Sequence, residues 1–120
     1  MGLPHMEEPT VLIGELKKGS AELLILSLLE DAPKHGYQLA QEIGERSGGV
    51  LKFYPASLYP TLYRLEKRGW IQGEWTDEPG QRRKRYYRLT GDGVGILAEQ
   101  RSIWEQFAGA VSRIAGLNHA

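Results

Sequence analysis

Ser57–Trp70 reads SLYPTLYRLEKRGW, and in it Leu58, Leu62 and Leu65 fall at i, i+4 and i+7, the spacing of one helix face turned towards a core. At about 100° per residue the opposite face carries Pro60, Tyr63, Arg64 and Lys67, flanked by Ser57, Tyr59, Thr61 and Arg68. The stretch therefore predicts an amphipathic helix whose outer face is polar, aromatic and basic. Ser57 is read as its N-cap, which puts Pro60 at N3, where the missing N–H removes no intrahelical bond. Gly69 is read as the left-handed stop.

Downstream, WIQGEWT at Trp70–Thr76 sets Ile71, Gly73 and Trp75 against Gln72, Glu74 and Thr76, the alternation of a half-buried strand. DEPGQ at Asp77–Gln81 has turn chemistry, and a return strand over Arg83–Leu89 puts Tyr87 and Leu89 on one side and Tyr86 and Arg88 on the other. Thr90 is then an N-cap for a long helix with apolar positions Val94, Leu97, Trp104, Phe107, Val111 and Ile114, its entry loosened by Gly91, Gly93 and Gly95.

Upstream, Ser20–Asp31 reads as a buried helix capped by Ser20 and stopped by Pro33, with Glu30 and Asp31 at a helix end that disfavours carboxylates. His35 with Gly36 starts a second helix, Gly36–Arg46, broken by SGG at Ser47–Gly49. Val50–Phe53 makes an extended link, and Pro55 biases Tyr54 away from helical geometry. Helix, helix, helix, hairpin, long helix is the order of a mainly α (α+β) winged helix-turn-helix with a two-stranded β-wing and a C-terminal dimerisation helix. The expected organisation is an arm over 1–18, a winged-helix domain over 19–89, the terminal helix over 90–117 and a tail over 118–120. Within the arm, MGLPHM at 1–6 reads as a cloning remnant ahead of a natural start at Met6.

The 120 residues, 41% of them hydrophobic, suit one folded domain, and a chain this short seeks a second subunit for any apolar element it cannot bury itself. Cysteine is absent, which excludes disulfides, thiolate zinc sites and a cysteine nucleophile and is easier to reconcile with an intracellular location than with a secreted one. The longest apolar run, Leu23–Leu26, is far too short to span a membrane. His5, His35 and His119 are scattered, and neither H-E-x-x-H nor G-x-x-x-x-G-K occurs. GDGVG at Gly91–Gly95 lacks the strand context of a dinucleotide site, so no enzyme, metal or cofactor is expected.

Fifteen Lys plus Arg balance fifteen Asp plus Glu, yet Arg82, Arg83, Lys84, Arg85 and Arg88 place five of the fifteen cations within seven positions. Such a stripe suits phosphate neutralisation, and more weakly it suits an edge strand guarded by charge. The outer face of the SLYP helix has two readings, a DNA-groove surface and an ordinary solvated face. A protein-interaction module using Tyr59, Tyr63 and Arg64 is the competing class. On the terminal helix Leu97, Trp104 and Val111 recur every seven residues, and Ile96, Ile103, Phe107 and Ile114 widen the stripe. A homodimer seam over Leu97, Trp104, Phe107, Val111 and Ile114 is the expectation. At such a seam Trp104 is either packing or a flat wall for a small aromatic or hydrophobic effector.

HGYQLAQEI, SLYPTLYRLEKRGWI and RRKRYYRLT resemble the corresponding stretches of the PadR family of bacterial transcriptional regulators, over about Gly19 to Ile114. The resemblance implies that the SLYP helix is the recognition helix, with Ser57, Tyr59, Pro60 and Arg64 as carried-over positions, and that the chain represses transcription by binding a pseudo-palindromic double-stranded operator as a homodimer. On this basis Ser57, Tyr59, Pro60, Thr61, Tyr63, Arg64, Lys67, Arg82, Arg83, Lys84 and Arg85 form the expected DNA-binding set. The resemblance also puts Trp104, fourteen residues after the threonine of YYRLT, where a multidrug-sensing member of the family has a tryptophan in its drug-binding dimer pore.

Overall fold

The computed structural model describes residues 7–117, so the MGLPHM stretch at 1–6 and the tail at 118–120, with His5 and His119, lie outside the described residues. The elements run α1 (Glu7–Leu28), β1 (Lys34–His35), α2 (Gly36–Arg46), α3 (Pro55–Lys67), β2 (Ile71–Thr76), β3 (Lys84–Leu89) and α4 (Gly91–Ala115). The three strands form one antiparallel sheet in the order β1-β3-β2. Leu26 and Ile25 of α1, Leu39 and Ile43 of α2, Leu58, Leu62 and Leu65 of α3, Ile71 and Tyr87 of the sheet and Leu97 of α4 share the core.

α1 starts well before Ser20. That serine is internal, its hydroxyl turned back to donate to the Lys17 carbonyl at 3.3 Å, a bond that a helix accommodates without a break. Residues 7–18 are thus helical and continuous with the first core helix. The acids at its end are answered by cations from elsewhere. Asp31 pairs with Lys34 at 2.8 Å, and Glu30 takes Arg101 of α4 in a two-pronged pair at 2.8 and 3.1 Å. Those hydrogen bonds hold both carboxyls below their ordinary range. The Lys34 amine, only 4% exposed, also donates to the Leu28 carbonyl and so closes the C-terminus of α1.

β1 is two residues long and pairs Lys34 with Tyr87 and His35 with Tyr86, so the sheet has one strand more than the wing alone. His35 then caps α2, its Nδ1 accepting from the Gln38 N–H at 3.2 Å while its ring meets the edge of Tyr86. Burial, helped by the Lys84 ammonium, holds this imidazole below its ordinary value of 6.5. The unfolded chain therefore takes up the proton first. Stability from neutral His35 is complete above about pH 6.5 and declines as pH falls towards the folded-state value. The wild-type thermal midpoint should fall between pH 7 and pH 5 more than that of His35→Asn, which keeps a side-chain acceptor without titrating; parallel curves for the two proteins would exclude His35 as the cause.

α3 begins at Pro55, three residues earlier than a Ser57 cap requires. Tyr54 is extended (φ −79, ψ 144) as the residue before a proline must be, and Pro55 supplies a preformed first turn. Ser57 is accordingly inside the helix, its Oγ donating to the Tyr54 carbonyl at 2.7 Å, and Pro60 lies in the helix interior, where its missing N–H does remove a bond. Gly69 ends the turn at φ +81, as its position suggested.

The two ends of the hairpin are tied at Thr90, which caps α4. Its Oγ1 donates to the Gly69 carbonyl at 2.7 Å and accepts from the Gly93 N–H at 3.1 Å, while its own N–H donates to the Trp70 carbonyl at 3.1 Å. Gly93 is a close-approach residue in this junction, not a loosening one: a Cβ built on it would lie 2.0 Å from the Trp70 oxygen.

Candidate nucleic-acid interface

The outer face of α3 carries Ser57, Tyr59, Pro60, Tyr63 and Lys67 in the open, with the Lys67 ammonium 5.9 Å from the centre of the Tyr63 ring. One residue predicted there is placed otherwise. Thr61 is only 7% exposed, because at 300° from Leu58 on the helical wheel it falls next to the leucine stripe. Arg64 is exposed, donates to the Thr61 hydroxyl at 3.2 Å and lines a depression of about 310 Å³ with Lys18 and Glu22 of α1 and Gln100, Ile103 and Trp104 of α4.

Tyr59 is the best fixed of the aromatic residues on this face. Its ring lies over Gly36, where a Cβ would come within 3.1 Å of it, so the glycine of HGY at the head of α2 is what seats it. Between this ring, α2 and the wing runs a cleft of about 630 Å³ whose walls include His35, Tyr37, Trp75, Tyr87 and Arg82 to Arg85.

The wing's side-chain alternation holds near the core, with Ile71 and Tyr87 buried, and fails at the tip, where Trp75 is 54% exposed because the hairpin outruns the core. Trp75 is covered instead by cations: Arg83 lies 4.8 Å and Arg85 5.6 Å from its ring. The basic residues of the stripe are not equivalent. Arg83 pairs with Asp77 at 2.8 Å, Arg85 with Glu66 at 2.6 Å, and Arg88 donates to the Gln72 amide at 2.6 Å. Arg82 and Lys84 are exposed and have no ion-pair partner among the described residues.

Sequence reasoning overlooked Glu66 and Tyr37. The former is the single acid of an otherwise neutral and basic helix, a signal that was present but unread. The seam residues divide. Leu97 is 1% exposed inside the chain's own core and is unavailable to a partner, whereas Ile103, Phe107, Val111 and Ile114 remain exposed along α4, as do Leu12 and Leu16 on α1. Trp104 is half-buried and meets Phe107 edge to face at 6.0 Å.

Three helices, a short β1 and a basic hairpin around an outward-facing α3 define a winged helix-turn-helix regulator with a long added helix. Residues 25–99 match the Transcriptional regulator PadR-like family, and the chain belongs to it. It is 35% identical over 105 residues to the transcriptional regulator Rv3488 of Mycobacterium tuberculosis, spanning 88% of this chain and 92% of that one. The crystal structure of a PadR family regulator from Eggerthella lenta superposes with a TM-score of 0.77 at 29% identity, covering 91% of this chain and 93% of that chain. Bacillus subtilis PadR, solved in complex with operator DNA, superposes with a TM-score of 0.60 at 26% identity over 66% of this chain and 45% of that one. The chain is thus a transcriptional regulator and not an enzyme. None of its described helices is long and apolar enough to cross a membrane.

Proposed function

We propose that this regulator binds a pseudo-palindromic operator as a homodimer and represses transcription in the bacterial cytoplasm, with a small aromatic or hydrophobic effector releasing it. One observation carries the reading: Tyr59 of α3 and Arg82 and Lys84 of the wing, the two cations without an ion-pair partner among the described residues, line a single basic and aromatic cleft, and Tyr63 and Lys67 stand exposed on the same helix. That arrangement puts base-reading groups beside phosphate-binding ones. The operator complex of Bacillus subtilis PadR supports it by likeness. The exposed apolar length of α4 supports the dimer, and two copies would present two α3 helices to the two halves of one site. For the effector, the support is that Trp104 shares its depression with Arg64, so a molecule lying on the indole would also touch the recognition helix.

Fluorescence anisotropy against the protein's own promoter fragment and a scrambled duplex tests this. With Lys67, Arg82 and Lys84 from each subunit on phosphates, roughly six in all, promoter affinity should fall about 10³-fold between 50 and 200 mM salt. Absence of binding to both duplexes at 50 mM would return the protein-interaction reading.

A further inference from the structure

Glu66 is the only carboxylate in α3, and one of its oxygens holds both strands of the wing. Oε2 accepts from the Gly73 main-chain N–H of β2 at 3.0 Å and from Arg85 Nη2 of β3 at 2.6 Å. The Arg85 guanidinium in turn lies between two aromatic rings, 5.6 Å from the centre of Trp75 and 5.7 Å from that of Tyr87. Gly73 completes the slot. A Cβ there would sit 2.6 Å from Arg85 Nε and 2.8 Å from its Cζ, so the bare backbone is what lets the guanidinium lie across the strand. The Glu66 and Arg85 side chains are 30% and 28% exposed, which strengthens their bond over a fully solvated pair.

We infer that Glu66 is a positioning residue for sequence recognition: through Gly73 and Arg85 it fixes the wing relative to α3, so that the wing-tip cations meet phosphates in register with the bases under the helix. This rests on the operator-binding reading above. Arg85 on this account is neutralised inside the protein and contributes nothing to phosphate binding, which falls to residues such as Arg82 and Lys84. The two roles leave different marks. Loss of a phosphate contact lowers the slope of log affinity against log salt by about 0.9 per phosphate and weakens all sequences alike. Loss of positioning lowers the preference for the promoter without lowering that slope.

The full chain and the variants Glu66→Gln, Arg85→Gln, both together, and Arg82→Gln are titrated into promoter and scrambled duplexes across a salt series. Glu66→Gln and Arg85→Gln should each reduce the promoter-to-scrambled ratio roughly tenfold, with salt slopes not below wild type, and the double variant should lose no more than either single, as members of one unit do. Arg82→Gln should lower the slope and keep the ratio. A full ratio in Glu66→Gln, or an Arg85→Gln slope lowered like that of Arg82→Gln, overturns the assignment. A wild-type protein with no promoter preference overturns the operator reading and this role with it. The anchor is tested separately in the DNA-free protein, where the Gly73 amide should exchange its hydrogen at least tenfold faster in Glu66→Ala; an unchanged rate means that Glu66 does not hold the wing.

Discussion

Gly93→Ala should cost about 3 kcal/mol or more of folding stability, against the ~1 kcal/mol gain that helix propensity alone would assign to it. The new methyl would meet the Trp70 carbonyl oxygen at 2.0 Å and Leu89 Cδ1 at 2.8 Å. Main chain blocks it, and that main chain has no freedom to retreat. Trp70 is held through its carbonyl by the Thr90 N–H, and Gly69 next to it by the Thr90 hydroxyl. The penalty is a large share of the 5 to 15 kcal/mol, roughly, that stabilises a domain of this kind. Gly95 is the matched control, since it lies in the same helical turn with nothing within 4 Å of the corresponding position. Urea unfolding should therefore show Gly93→Ala strongly destabilised and Gly95→Ala unchanged or stabilised by up to ~1 kcal/mol. Two equally stable variants would mean that the α4 entry is not packed against the hairpin as described.

If the proposed homodimer closes along α4, Phe107→Glu should convert it into a monomer and weaken promoter binding by at least about a hundredfold. Phe107 is 58% exposed in the single chain, and Ile114 further along α4 is 89% exposed, so neither is needed for the internal core. A carboxylate placed among such apolar groups in the proposed seam would be drawn out of water, and an uncompensated buried charge costs several kcal/mol. The monomer would retain its α3 and wing but address half a site. Sedimentation velocity gives the oligomeric state and anisotropy the affinity. A variant that remains dimeric at micromolar concentration would place the seam elsewhere.

The elements readable from sequence were those whose signal is local. The α2 bounds, the Thr90 cap and the basic hairpin follow from periodicity and turn chemistry, and the structure has each of them. Pro55 was also a local signal, as the natural first residue of α3, but Ser57 offered a competing cap and Pro60 an apparent fit to it. Other features depend on tertiary distance. Alternation in β2 gives the side on which Trp75 lies but not that the hairpin has by then left the core. A heptad places Leu97 in the stripe of α4 without revealing that its own domain already covers it. Likewise a run of cations shows its sign and not its partners, so only the fold separates Arg85, committed to Glu66, from Arg82. β1 is two residues long and has no period to detect.

The knot of bonds at Thr90 also has a mechanical meaning. Because Gly69, Trp70 and Gly93 converge on it, the C-terminal end of α3 and the N-terminal end of α4 meet at one fixed point, and the hairpin between them is bypassed. That point is a fulcrum. α4, with 25 residues, is a lever arm of about 37 Å, and α3, with 13, one of about 20 Å. A tilt of about 5° moves the far end of α4 by about 3 Å and the Pro55 end of α3 by about half that. In the proposed homodimer, motion at the seam would thereby be geared down on its way to α3, so that a coarse rearrangement between subunits would arrive at the operator as a fine one.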